Sequence, residues 1–425
     1  MRGFLLMVSA ALLVSATSAV AHDDPPTRRG PPLCGIDVWA RDGVPAALKG
    51  KRFGLVTNVT GRTFDGKATV DVLRGIPDVK LVALFGPEHG IRSDVDAHVP
   101  DAVDPPTGLP VWSLYGKRRK PDPDHLKDVD VLVYDIQDIG TRFYTYISTM
   151  GLCMEAAAAA KIPFVVLDRP NPIAPAGVGG PIRDADKESF TAWHTLPVMH
   201  GMTVGELATM FNAERGMKVD LTVVRCERWN PDTWHDEHGC EWVNPSPNIR
   251  RLEQALLYPG IGLLETTNVS VGRGTDTPFE VVAAPWVQHV ALADHLRFVP
   301  GDGPLRRRPA LAGLTITPVT YTPTSSTHKG VACRGIRLSI TDRRGLDPLF
   351  VGITVACVLR DLHPKDWKAE RYAKLLDHDA TMKAFIAGAT PEALFDSWRA
   401  DVAAFTARRA PFLLYERGKK DAAPK

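Results

Sequence analysis

Leu81-Val-Ala-Leu-Phe-Gly-Pro-Glu-His-Gly90 is an apolar run that ends on a glutamate. From Val79 to Phe85 nothing polar alternates except Lys80, the pattern of a strand covered on both faces of a parallel sheet. Gly86 and Pro87 break the run, so Glu88 and His89 are expected at the strand's carboxyl edge. In open α/β sheets, ligands and reactive groups collect at that edge. A carboxyl group there, beside a histidine, is a candidate proton donor or base. A buried ion pair of Glu88 with Arg92 or Arg142 is the structural alternative.

The flanking segments repeat the theme. Arg52–Asn58, Val129–Ile136, Pro163–Leu167 and Leu221–Val224 read as further strands. Thr69–Arg74, Phe143–Lys161 and Val204–Arg215 read as helices between them, the second with an alanine run of high helix propensity. Strands alternating with helices predict an α/β fold with a parallel, doubly wound sheet. Several strand ends carry polar groups: Asn58, Glu88, Asp135 with Asp138, and Asp168 with Arg169. Groups leaving one edge of one sheet converge on a cleft. Each alone is also a plausible cap or turn residue.

After Trp229 the texture changes. Asn244-Pro-Ser-Pro-Asn248 is a rigid loop, Leu252–Tyr258 a short helix, and 260–286 a long Gly-, Thr- and Asn-rich segment expected to be functional or mobile. From about Pro285 a second, smaller α+β unit is expected. Its strands fall at Leu314–Tyr321 and Arg334–Thr341, and its helices at Leu349–Leu362, Tyr372–Phe385 and Pro391–Ala407. The expected organisation is a catalytic domain over 35–284, a C-terminal domain over 285–417, and a disordered tail over 418–425.

Residues 1–21 have the positive start, apolar middle and Ala19-Val20-Ala21 end of a cleaved export signal, followed by a Pro- and Arg-rich leader over 22–34. The chain is therefore expected in the bacterial periplasm or secreted, with no membrane span after signal removal. Its 425 residues are 44% hydrophobic with a formal net charge of +2, which gives no electrostatic case for nucleic acid. Six cysteines without a CxxC pair allow disulfides, Cys226 with Cys240 closing the most natural local loop, or free buried thiols. The Trp234–Cys240 cluster matches no zinc spacing. Gly272-Arg-Gly274 lacks the rest of a phosphate loop or dinucleotide fingerprint, so no nucleotide is indicated.

Beyond Glu88, the stretch Tyr134-Asp-Ile-Gln-Asp-Ile-Gly-Thr-Arg-Phe-Tyr-Thr-Tyr146 offers Asp135 and Asp138 as a second carboxylate. It also offers Arg142 as a clamp for an anionic group and Tyr144 and Tyr146 as stacking faces. Thr203 and Glu206 fit a capping box, with His200 just ahead pointing toward the cleft. Asn58, His89 and Arg92 are candidate binding groups at the sheet edge. Glu265, Asn268, Arg273, Asp276 and Glu280 are candidates from the long segment.

Taken together, the chain resembles the exo-β-N-acetylmuramidase family of the NamZ type, formerly domain of unknown function 1343. The resemblance runs from about Gly35 to Tyr415. It rests on Gly54–Asn58, Leu84–Arg92, Tyr134–Tyr144, Leu167–Pro172, His200–Thr203, Pro245–Asn248 and the Glu265–Glu280 segment. It implies a Rossmann-like N-terminal domain joined to a smaller C-terminal one across a cleft. The implied activity is release of N-acetylmuramic acid from the non-reducing end of peptidoglycan glycan strands, without a cofactor and with Glu88 as catalytic residue. Asp135 or Asp138, or the substrate's own acetamido group, is then expected to assist, and Arg142, Arg92 or Arg273 to hold the lactyl carboxylate. A disaccharide-releasing relative and a non-catalytic periplasmic muropeptide-binding protein are the alternatives.

Overall fold

The computed structural model describes residues 31–92, 99–300, 307–309 and 311–418. The expected signal segment, the leader up to residue 30 and the tail beyond 418 lie outside the described residues.

Seven strands make the main sheet: β1 (Arg52–Thr57), β2 (Lys80–Gly86), β3 (Ala102–Val103), β4 (Pro110–Ser113), β5 (Val131–Asp135), β6 (Phe164–Leu167) and β7 (Leu221–Val224). Their spatial order is β3-β4-β2-β1-β5-β6-β7. All neighbours run parallel except the short edge pair β3 and β4. The chain moves outward from β1 through β2 to β4, then returns to lay β5 on β1's other side. That reversal between β1 and β5 is the topological switch at which clefts form in doubly wound sheets.

The expected two-sided burial is visible residue by residue. Along β5, Val131 and Val133 pack into one core with Phe53, Leu55, Leu84 and the helix Gly35–Asp42, while Leu132 and Tyr134 enter the other. Phe164 and Val166 of β6 alternate with Val165 and Leu167 in the same way. Successive side chains of a strand point to opposite faces, so a continuous apolar run fills both layers. Helices Tyr146–Ala160 and Val204–Glu214 cover the larger-core face. The second starts with the expected capping box: Glu206 N donates to the Thr203 hydroxyl at 3.2 Å, and Thr203 N to Glu206 Oε2 at 3.0 Å.

The C-terminal part has its own antiparallel sheet, Val281–Ala284, Cys333–Ile340 and Leu314–Tyr321 in that order. Val281–Ala284 thus pairs with strands beyond residue 285 although it precedes that point in the chain. The larger core is continuous from Val56 to Phe405 and joins this part to the main sheet's face. Helices Leu252–Ile261 and Pro348–Leu362 meet backbone to backbone at Gly260 and Gly352. A Cβ on Gly260 would lie 2.1 Å from Pro348 O, so only glycine fits this contact.

Three expectations need correction. The helix expected to end at Tyr258 continues through Pro259 to Ile261 and passes into a 3₁₀ turn, Gly262–Thr266, so part of the long segment is helical. Burial of Leu256, Leu257 and Ile261 outweighs the proline's missing donor. The single helix expected over Tyr372–Phe385 breaks at Asp377, which is left-handed (φ 50°), and restarts behind His378, whose ring nitrogen accepts from Thr381 N. The Cys226–Cys240 disulfide is not formed. All six cysteines are free, and the Cys226 thiol donates to Asp168 O at 3.2 Å.

Candidate active site

β2 delivers Glu88 through a turn whose geometry the local sequence explains. Gly90 N closes the turn onto Pro87 O at 2.9 Å. His89 and Gly90 both take left-handed backbone angles, φ 69° and 68°. A side chain at Gly90 would also press on Val99, with a Cβ 3.0 Å from its nearest methyl. The result is a half-buried Glu88 carboxylate at the rim of a cavity of about 450 Å³. The Thr145 hydroxyl donates to Glu88 Oε2 at 2.7 Å. This donor comes from the end of the β5 loop, where helix Tyr146–Ala160 begins. With Oε2 held there, Oε1 is the oxygen left for a ligand.

Aromatic rings build the base of the cavity. Tyr144 meets Tyr146 edge-on at 4.9 Å and Tyr258 at 5.8 Å, and Tyr258 meets Phe279 at 4.7 Å. Tyr144 and Tyr146 are packed into this cluster rather than offered as open stacking faces. The Tyr146 hydroxyl donates to Pro245 O at 2.5 Å, which ties the Pro245–Asn248 loop to the cavity and brings Ser246 and Asn248 into its lining. Burial holds the Tyr258 phenol well above its ordinary pKa, and the charges of Glu265 and Glu88 push the same way. Both carboxylates therefore act on one neutral phenol.

Glu265 is the second carboxylate in the lining. Arg273 grips it with the Nε–Nη2 edge of its guanidinium, at 3.0 to 3.2 Å, and lies over the Phe279 ring at 5.5 Å. A further wall comes from Tyr115, Arg119, Ser189, Phe190 and Thr191.

Of the residues singled out in the sequence as candidate site groups, Glu88, His89, Tyr144, Tyr146, Glu265 and Arg273 meet at this cavity, and the others do not. Asp135 is fully buried, clamped by Arg169 at 2.5 and 2.9 Å and by the Thr69 hydroxyl. Asp138 accepts from Gly140 N at 2.7 Å and faces His200 Nε2 at 3.2 Å, so each of these two turns to the other instead of the cleft. Arg142 donates to four backbone oxygens, of Pro181, Leu196, Leu375 and Leu376, and burial lowers its pKa to about 10. Its two terminal nitrogens are taken by carbonyls and the side chain is sealed from solvent, so it is a structural rivet outside the cavity lining. Arg92 pairs with Asp104 at 2.9 Å. The ion pair weighed for Glu88 is thus not made with either arginine.

Asn58 accepts from Thr60 within its own turn. Asn268 bridges Asp366 O and Lys368 N. Asp276 is fully exposed, 4.0 Å from Arg250, and Glu280 takes Arg251 and Gln254. Asp236 and Glu237 of the Trp234–Cys240 cluster pair with Arg343 and Arg344. Among the described residues no group of three or more His, Cys, Asp or Glu side chains is disposed to hold a metal.

Sequence reasoning missed Thr145, Tyr258 and the Tyr115–Arg119 and Ser189–Thr191 wall. Thr145 had one available sign, a hydroxyl inside the polar stretch that follows β5. The wall residues had none, because they come from loops after β4 and after β6.

Comparison with known proteins agrees with this architecture. The model for the N-terminal part of exo-β-N-acetylmuramidase NamZ matches residues 53–253, and that for its C-terminal part matches 256–415. The peptidoglycan β-N-acetylmuramidase NamZ of Bacillus subtilis (strain 168) is 40% identical over 408 residues, covering 95% of this chain and 96% of that protein. Crystal structures of two DUF1343 family proteins from Bacteroides fragilis NCTC 9343 superpose with TM-scores of 0.82 and 0.71, at 37% and 29% identity. Each covers 91% of this chain, and 100% and 99% of the respective relative. With both family models spanning nearly all of the described residues, the chain belongs to the exo-β-N-acetylmuramidase NamZ family.

Proposed function

We propose that this glycoside hydrolase releases N-acetylmuramic acid from the non-reducing end of peptidoglycan glycan strands, with Glu88 as general acid. The carrying observation is the Glu88 carboxylate at the rim of the aromatic-floored cavity, one oxygen held by Thr145. Protonated on Oε1, it gives its proton to the glycosidic oxygen as the bond to the anomeric carbon breaks and oxocarbenium character builds.

The family relationship supports the hydrolase class, and the B. subtilis relative's substrate supports the choice of peptidoglycan. With Asp135 and Asp138 turned inward, Glu265 is the protein carboxylate suited to the second role. Its ion pair with Arg273 fits an anion that steadies the sugar cation or orients water. The substrate's acetamido oxygen is the other nucleophile to be tested, and the anomer first released tells inversion from retention. The segment at 1–21 supports action outside the cytoplasm, in cell-wall turnover. Among the described residues no helix is long and apolar enough to cross a membrane.

The test is hydrolysis of a chromogenic N-acetylmuramide by Glu88→Gln. Activity equal to the parent's would remove Glu88 from the chemistry.

A further inference from the structure

The reaction cavity continues past its Arg119–Phe190 wall. A second cavity of about 540 Å³ shares Arg119, Ser189 and Phe190 with it and extends along Lys117, Lys120 and Trp193. Of four consecutive cations, Lys117-Arg-Arg-Lys120, all but Arg118 line this side. Two are spoken for: Arg118 pairs with Asp101, and Lys120 lies 3.4 Å from Glu155. Lys117 and Arg119 have no carboxylate partner among the described residues, and the Arg119 guanidinium rests over the Phe190 ring at 4.4 Å. The acid of the second cavity, Glu188, is matched by Arg215 at 2.6 Å and Arg183 at 3.9 Å. The groove is therefore net positive. Phe190, shared by the two cavities, stands 6.2 Å from Tyr115 of the first and is followed along the second by Trp193.

Aromatic faces, hydroxyls and unpaired cations suit a sugar chain that carries carboxylates. We propose that this groove binds the continuing glycan strand, with Lys117 and Arg119 pairing with a carboxylate on the muramic residue one repeat beyond the bond cleaved. The inference rests on reading the adjoining cavity as a muramidase site. The carboxylate has two sources, the free lactyl group or the acidic stem peptide attached to it, and both present the same chemistry to the groove.

The experiment compares kcat/KM of the parent and Lys117→Glu on three substrates: the peptide-free muramyl-glucosamine disaccharide, a peptide-free tetrasaccharide, and that tetrasaccharide with stem peptides. Lys117 is exposed and lines only the second cavity, so the variant is expected to fold. The disaccharide ends before the groove and should be cleaved within about twofold of the parent rate. The longer strand that carries the engaged carboxylate should lose roughly tenfold, and the parent's preference for it should shrink as salt rises. Loss confined to the peptide-free tetrasaccharide assigns the free lactyl carboxylate as the partner, loss confined to the peptide-bearing one assigns the stem peptide, and loss on both shows that the groove takes either carboxylate. Unchanged cleavage of both tetrasaccharides, or an equal loss on the disaccharide, overturns the groove. A parent enzyme inactive on all three substrates overturns the muramidase reading beneath it, a distinct result.

Discussion

Glu88 and Asp135 are both carboxylates at the carboxyl edge of the same parallel sheet, on strands separated only by β1. Their surroundings differ completely. Asp135 receives a two-point guanidinium and a hydroxyl, and no part of it meets solvent. Glu88 receives one hydroxyl and faces a cavity. The edge of a parallel sheet thus supplies candidates for chemistry, and the partners that reach each candidate decide which one remains available. Arg169, at the end of the adjacent strand β6, is the partner that removes Asp135 from the chemistry.

The sharpest way to break this contrast is to neutralise each carboxylate in turn. Glu88→Gln should lower kcat by about 10²–10⁴-fold, with the unfolding midpoint unchanged, since it removes only a proton-transfer group. Asp135→Asn should do the reverse. It leaves Arg169 buried without its counter-charge and should cost about 3–5 kcal/mol in denaturant unfolding, while the folded fraction keeps its specific activity.

A third sealed carboxylate extends the comparison to pH. Burial pushes Asp168 up to about 7, despite the Tyr415 and Thr203 hydroxyls and Gly205 N that donate to it. Its folded-state pKa lies above the unfolded value of about 3.8, so the native state binds the proton more tightly. The resulting stabilisation is complete below about pH 4 and is lost as pH rises through about 7, up to roughly 4 kcal/mol. Denaturant unfolding between pH 5 and 8 checks this, and Asp168→Asn should remove that part of the slope.

Thr145→Val deletes the one donor on Glu88 among the described residues and should cost about tenfold in kcat, or about 1.4 kcal/mol. Thr145→Ser should restore most of it, whereas a purely structural role for Thr145 would show as a lowered midpoint in both variants. The smallest expected effect is Thr390→Ala, at the start of helix Pro391–Arg409 and outside the cavity lining. Loss of that cap, which accepts from Ala393 N at 3.2 Å, should cost about 1 kcal/mol of stability and leave the turnover of folded enzyme unchanged.

Much of the main sheet was legible because its strands are apolar on both faces and bounded by glycine, proline or acidic residues. β1, β2, β5, β6 and β7 fall within two residues of the expected bounds. The short edge strands were not legible: Ala102–Val103 and Pro110–Ser113 have neither the length nor the periodicity to announce themselves. Nor was the break at Asp377, which a helix-forming composition on both sides conceals. In the site, Glu88 and Glu265 were visible as acids at structural transitions. Arg142 and His200 looked equally reactive in the chain. Arg142 is consumed by carbonyls of residues as distant in sequence as Leu376, and His200 by Asp138.

By itself the chain's order of residues determined the alternation of strand and helix, the carboxyl edge on which Glu88 stands, and the Thr203–Glu206 cap, because each depends on neighbours within a few positions. Tertiary packing alone decided which acids were neutralised, that Thr145 reaches Glu88, and that two cavities share the Arg119–Phe190 wall. Those outcomes depend on groups from different loops arriving at one place. An ion pair or hydrogen bond forms with whichever partner the packed core brings within about 3 Å, and no local pattern encodes that distance.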